Sequence, residues 1–171
     1  TVSRLAEGAS TMAVDFVRHR GTSVAASWAE SAARGDQIAA LAGGGAVVGE
    51  AEWVLLAGDE TALPAIAGTL ERFGPQQRGL AVIEVAGPEE EQVLPAPDGV
   101  QVRWLHRNGA APGTTTLLAD ALAAVALPAA ELSAGQVAVW VSAESAVVRF
   151  ARRHLKEAGF PRRKQLIIGY W

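Results

Sequence analysis

The sequence predicts an α/β domain on an open, doubly wound, five-stranded parallel sheet, and three observations predict it. Short apolar runs recur from Trp53 onward, as strands buried on both faces do. The segments between them carry helical periodicity. Polar and aromatic residues then gather just beyond the ends of the runs, where such sheets bind ligands.

In chain order, Met12 to Val17 alternates apolar and polar residues like a half-buried strand, and Thr22 to Ala33 reads as a short helix with Trp28 on its apolar side. Gly35-Asp36 makes a turn, and Gln37 to Leu41 reads as another strand. Ala42-Gly43-Gly44-Gly45 is the glycine-rich stretch suited to a linker. The boundary therefore falls between residues 1–45 and an α/β domain over 46–171.

The predicted parallel strands are Trp53–Ala57, Leu80–Val85, Val100–Leu105, Gln136–Val141 and Gln165–Ile168. Between the first two, Thr61 to Phe73 carries Leu63, Ile66, Leu70 and Phe73 as an apolar stripe; Pro64 sits in its first turn and Gly74-Pro75 ends it. Glu89 to Pro97 is a polar excursion. A helix over Thr115–Leu127 stops before Pro128, and one over Glu144–Ala158 stops at Gly159. Right-handed crossovers give the order 3-2-1-4-5. The strand ends that would meet a ligand are Gly58 to Thr61, Val85 to Gly87, His106-Arg107, Ser142 to Glu144, and Gly169-Tyr170-Trp171.

Composition narrows the function. A chain of 171 residues buries about 70% of its unfolded surface, so it owns a real core. A net charge of −3 gives no global reason to bind nucleic acid or an anionic membrane. The absence of cysteine excludes disulfides, thiolate metal sites and cysteine nucleophiles, and leaves the cytoplasm as the expected compartment. The apolar runs are too short to span a bilayer, and no signal-peptide pattern opens the sequence. Thr1 in first place suggests a processed, cut or engineered start. Oligomeric state is not legible.

Ala57-Gly58-Asp59-Glu60-Thr61-Ala62 lacks the G-x-G-x-x-G spacing, and two carboxylates beside a helix N-terminus would repel a pyrophosphate. Asp59, Glu60 or Thr61 either caps the following helix or faces a ligand. Glu84 could imitate the acid that holds a ribose in dinucleotide folds. Arg103 and Arg107 either read a 2′-phosphate or are plain surface. Arg149, Arg152, Arg153, Lys156, Arg162, Arg163 and Lys164 face one acid, Glu157; this cluster is a solvated surface or an attractor of anions. His19, His106 and His154 are too scattered for a metal site, and no G-x-S-x-G stands in the chain. Trp53, Trp104 and Trp140 belong to the core, whereas Tyr170-Trp171 either stacks on a planar ligand or plugs the strand end.

The run from Trp53 through Ala57-Gly58-Asp59-Glu60-Thr61-Ala62-Leu63-Pro64 to Ile66 resembles the siderophore-interacting protein family, the flavin-dependent ferric-siderophore reductases. The resemblance continues through Ile83-Glu84-Val85, Trp104-Leu105-His106-Arg107, Trp140-Val141-Ser142-Ala143-Glu144, Arg149 to Leu155 and Gly169-Tyr170-Trp171. At the front, Val14-Asp15-Phe16-Val17, Ser27-Trp28-Ala29 and Gly35-Asp36 are similar to the end of the family's flavin domain.

That resemblance implies a ferredoxin-reductase-like nucleotide-binding domain preceded by a partial flavin-binding β-barrel, with FAD and NADH or NADPH as cofactors and a ferric siderophore as substrate. Gly58, Asp59, Glu60, Thr61, Ala62, Ser142 and Glu144 would line the nicotinamide pocket, and Tyr170 and Trp171 would close over the flavin. Thr1, Ser27 and Trp28 would belong to the flavin remnant. Arg149, Arg152, Arg153, Arg162, Arg163 and Lys164 would draw in phosphate or an anionic siderophore. Departures stand at Ser3, Ser23, Ala26 and Ala143; the last replaces a glycine and would crowd a nicotinamide entering there. They keep open two other readings: a binding module that has lost its cofactor, and a flavin reductase serving a protein acceptor.

Overall fold

A computed structural model describes residues 2–5, 11–14, 16, 24–39 and 51–171. The chain divides into two compact units, residues 1–46 and 47–171. In the first, β1 (Val2–Leu5) pairs antiparallel with β2 (Met12–Val14). Helix α1 (Val24–Ser31) buries Ala26, and its Trp28 lies 5.9 Å from the Phe16 ring, centroid to centroid. The turn at Gly35-Asp36 forms as expected, with the Ala33 N–H donating to Asp36 Oδ2 at 2.8 Å. Gln37 to Ala39, read as the start of a strand, is exposed chain without regular structure. Thr1, the Ser3 side chain, Asp15, Val17, Ser23, Leu41 and the Ala42 to Gly45 linker lie outside the described residues.

The second unit contains β3 (Trp53–Asp59), α2 (Leu63–Leu70), β4 (Arg78–Val85), β5 (Val100–His106), α3 (Leu117–Ala123), α4 (Ala129–Ser133), β6 (Val137–Ala143), α5 (Ser145–Glu157) and β7 (Gln165–Gly169). The sheet runs β5-β4-β3-β6-β7 with every pair parallel, which is the predicted order 3-2-1-4-5. Register pairs Leu55 with Leu80 on one side and Val139 on the other.

Alternation along the strands divides the core into two layers. Leu55, Val82, Val139 and Val141 meet Leu118 and Leu122 of α3 and Val148, Ala151 and Leu155 of α5 on one face. Val54, Leu56, Ile83 and Trp140 meet Leu63, Ile66 and Leu70 of α2 on the other. Trp140 is buried, and Trp53 and Trp104 pack half-buried against these layers. Helices thus cover both faces, and the strand ends carry the polar groups.

Three helices differ from expectation. Helix α2 starts at Leu63 instead of Thr61, because the preceding residues are folded into a hydrogen-bonded turn in which the Ala62 N–H donates to Asp59 O. Helix α3 spans Leu117–Ala123 instead of Thr115–Leu127, and the short α4 after Pro128 was not foreseen. Helix α5 ends as expected at Gly159, where the Phe160 N–H reaches back to Leu155 O at 2.8 Å.

Candidate functional site

Asp59, the last residue of β3, is 5% exposed and gathers donors from three parts of the fold. Its Oδ1 accepts from the Thr61 N–H at 2.9 Å and from the Thr61 hydroxyl. Its Oδ2 accepts from the Glu144 N–H at 3.0 Å and the Trp171 indole N–H at 3.1 Å. Helix α2 instead has Ala62 as its N-cap, with no side-chain bond. The expectation that Asp59, Glu60 or Thr61 caps this helix is therefore corrected. Asp59 and Thr61 bond to each other, and Glu60 turns to an arginine.

That arginine is Arg107, just past β5, with a side chain only 3% exposed. Its Nη1 and Nη2 each donate to one oxygen of Glu60 at 2.8 Å, a fork-on-fork pair, and Nη1 lies 3.6 Å from Glu84. Burial works against the guanidinium charge, but hydrogen bonding and the charges of Glu60, then Glu84, outweigh it and hold the pKa above the ordinary arginine value. Neither sequence reading of Arg107 survives. It is not surface, and its fork is already occupied, so it has no free face for a 2′-phosphate. Arg103 is exposed on β5.

Glu84, near the end of β4, is also buried; it accepts from the Thr115 hydroxyl at 2.9 Å and the Leu118 N–H at 3.2 Å. Pulling Thr115 and the first turn of α3 toward Glu84 accounts for the late start of that helix. Glu144 caps α5 by accepting from the Ala146 N–H at 2.7 Å.

These groups border a cleft of about 130 Å³ at the carboxyl ends of the strands, lined by Asp59, Glu84, Arg107, Thr115, Glu144 and Trp171 among others. Gly113 also lines it, at φ +73, and a Cβ there would lie 3.0 Å from the Trp171 ring and 3.4 Å from Glu144 Cγ. Room for one ring-sized group exists, well above the roughly 30 Å³ share of a water and well below the ~300 to 1,000 Å³ of a drug-sized pocket. A lining of three carboxylates and one committed guanidinium does not suit a pyrophosphate.

A family model described as siderophore-interacting protein matches residues 51–171, and one described as siderophore-interacting FAD-binding domain matches residues 1–47. The chain belongs to the siderophore-interacting protein family. Among members of that family or their relatives, it is 40% identical to an uncharacterized protein of Mycobacterium tuberculosis, over 100% of this chain and 63% of that one. It is 30% identical to the ferric vibriobactin reductase ViuB of Vibrio cholerae, over 100% of this chain and 62% of the relative. A siderophore utilization protein from T. fusca superposes with a TM-score of 0.82 at 38% identity, covering 100% of this chain and 64% of that one. The chain thus spans less than two thirds of the length of these relatives.

Within this chain, the fold brings Asp59, Glu144 and Trp171 together and sets Glu60 and Thr61 beside them. Gly58, Ala62 and Ser142 do not reach the cleft. Ser142 is fully buried, donating its hydroxyl to Ile168 O at 3.1 Å, and a Cβ on Gly58 would collide with the Ala62 side chain and sit 2.5 Å from Ser142 O. Ala143 is also fully buried in the core layer, and its methyl, expected to crowd a nicotinamide, is not part of the cleft lining. Tyr170 is exposed, with its N–H on Ala143 O. Ser27 is exposed and Trp28 half-buried on α1.

Arg149, Arg152 and Arg153 are exposed on α5, with Arg162 and Arg163 exposed and Lys164 half-buried in a 3-10 turn before β7. Arg152 donates to Ile167 O at 2.8 Å, and the Arg153 guanidinium sits 5.9 Å from the Phe150 ring centre. Sequence reasoning missed Gly113 and Thr115 as cleft residues and the burial of Arg107. The strand-end rule pointed to His106-Arg107 as a position but not to its partners. Among the described residues, no cluster of three or more histidines and acids is placed to hold a metal, and no helix is long and apolar enough to cross a membrane.

Proposed function

We propose that residues 46–171 are the NAD(P)H-facing domain of a flavin-dependent ferric-siderophore reductase, and that residues 1–45 are the end of its flavin-binding barrel. The observation that carries this reading is the ring-sized cleft at the carboxyl ends of the strands, in a chain that aligns along its whole length with a ferric vibriobactin reductase. FAD and NADH or NADPH, when bound, supply the redox chemistry by which electrons pass to an Fe(III)-siderophore.

The chain's own residues bind and orient. A nicotinamide ring fits the cleft: Trp171 offers an aromatic wall, Asp59 holds that wall by its indole N–H, and Glu144 fixes the start of α5 beside it. The pyrophosphate lies outside, since carboxylates would repel it. Arg149, Arg152, Arg153, Arg162, Arg163 and Lys164 supply a positive surface for a cofactor phosphate or an anionic siderophore. Flavin is seated largely by the part of the relatives' length that this chain does not span, with Ser27 and Trp28 contributing from α1.

Iron(II) release trapped by a chelator, measured with NADH and with NADPH at saturating FAD, tests the division of labour. The 171-residue chain is expected to show none, and a form extended by a flavin domain of roughly one hundred residues to turn over. Equal turnover by both would refute it. No turnover by the extended form with FAD bound would favour a binding module that has lost its catalysis. Replacing Arg152 and Arg153 with Ala in the extended form should weaken siderophore binding most at low salt.

A further inference from the structure

A second pocket opens between the sheet and helices α3, α4 and α5, and it shares no lining residue with the cleft. Its volume is about 250 Å³, nearly twice the 130 Å³ of the cleft. Protein cores hold few voids larger than a water. Leu55, Val139 and Val141, each at most 2% exposed, form its floor, while Leu132 of α4, 36% exposed, stands at its mouth. Helix α4 brings that apolar side chain to an apolar pocket, yet it buries none of its five residues. What holds the helix is polar: Arg78 reaches the Glu131 carboxylate at 2.5 Å, and the Gln136 N–H donates to Glu131 O at 2.7 Å. Among the described residues, nothing fills the apolar space that α4 borders.

Water is a poor occupant, because it needs two to four polar partners and His154 is the one polar side chain in the lining. Displacing loosely held water with an apolar group is favourable. An apolar cavity of about 150 Å³ takes benzene, so this pocket has room for a body of about ten heavy atoms. His154 sets the single polar requirement, and its ring plane is fixed by stacking on Phe150, 5.6 Å between centroids and 8° between planes. Arg153 and Lys156 stand on the same stretch of α5, which disfavours a cation. We propose that this pocket binds a neutral, apolar small molecule of about ten heavy atoms, with one hydrogen-bonding group for His154 and with α4 as the wall that closes on it. The inference does not rest on the reductase reading, since the pocket is built on the later turns of α5 and the cleft on its first turn.

Indole is the probe, titrated into the 171-residue chain while the methyl resonances of Leu132 and Val139 are followed, with tryptamine as its cationic counterpart. Indole is expected to shift both resonances and to raise the midpoint of urea unfolding, and tryptamine to bind roughly tenfold more weakly. Two substitutions locate the site, with far-UV circular dichroism checking that each variant is folded. Ala151→Leu fills the pocket from α5 and should weaken indole about tenfold or more. Leu132→Ser removes the mouth wall at an exposed position that folding does not depend on, and should weaken indole severalfold, so the outcome stays readable even if Ala151→Leu fails to fold. Unmoved Leu132 and Val139 resonances up to the solubility limit of indole would overturn the site, as would unchanged affinity in the folded variants. Tryptamine binding as tightly as indole would overturn the neutral class of ligand.

Discussion

Replacing Asp59 with Asn changes one atom and reverses the hydrogen-bonding logic of the site. All four groups on the Asp59 carboxylate are donors: the Thr61 N–H and hydroxyl on one oxygen, the Glu144 and Trp171 N–H groups on the other. An amide keeps one acceptor oxygen and turns an NH₂ toward the other pair. Facing Thr61, it leaves the Thr61 N–H unpaired although the hydroxyl can rotate to accept; facing the other side, it leaves two N–H groups unpaired. At least one buried unsatisfied N–H costs about 1–3 kcal/mol, and loss of charge assistance in the remaining bonds adds ~1 kcal/mol. The expected loss is therefore about 2–4 kcal/mol, against ~1 kcal/mol for Trp171→Phe, which removes a single donor. Urea unfolding followed by far-UV circular dichroism and tryptophan fluorescence measures both, with unchanged m-values as the check on comparability. The double variant should show a coupling of about 1 kcal/mol, since the two groups touch. If Asp59→Asn stayed within about 0.5 kcal/mol of the parent, the four-donor clamp would be wrong.

Arg107→Met leaves Glu60 and Glu84 without their shared cation in a buried setting and should cost about 3–5 kcal/mol by urea unfolding, with Glu60→Gln in the same chain restoring part of it. Because the Arg107 pKa is raised in the fold, its contribution is complete below the ordinary arginine range and fades only above it; stability lost with Arg107 should thus stay constant through neutral and mildly alkaline pH. Glu131, bonded first by its own backbone N–H and then by Arg78 at 2.5 Å, titrates below its ordinary value of 4.5, so its contribution is present above that value and lost as pH falls through the lowered one. A carboxyl titration by NMR should show Arg78→Met moving the midpoint only part of the way back. Gly113→Ala forces a side chain onto φ +73 and against the Trp171 ring, an expected cost of about 1–2 kcal/mol with a shifted Trp171 indole resonance; an unshifted resonance would mean the ring does not pack there.

The sheet was legible because strands buried on both faces have no choice but to be apolar: Val54 to Ala57 and Val137 to Val141 announce themselves without any partner being known. Helix ends were less legible, for a nonlocal reason. Thr61 and Thr115 look like natural helix starts, yet their hydroxyls serve Asp59 and Glu84, acids delivered by strand ends. Helix α4 is five residues long, too short to leave a periodic trace. At the site, the resemblance and the strand-end rule found Asp59, Glu144 and Trp171 but could not separate them from Gly58 and Ser142, whose neighbours on the strand turn them inward. Arg107 was the largest misreading. A charged residue after a strand looks like surface until the two acids that neutralise it are brought within reach from positions 60 and 84.

The hydrogen bonds of Asp59 also set an order of assembly during synthesis. Its Thr61 donors follow within two residues, but the Glu144 donor comes 85 residues later and the Trp171 donor 112 residues later. At about 5–20 residues per second, a ribosome needs roughly 6–22 s to deliver the last of them. Over that interval β3 is the growing edge of a half-sheet: β4 and β5 dock on one side and bring Glu84 and Arg107 to Glu60, while the side that will receive β6 is bare. The guanidinium cluster can be finished on the nascent chain, whereas the aromatic wall of the cleft closes only when Trp171 arrives.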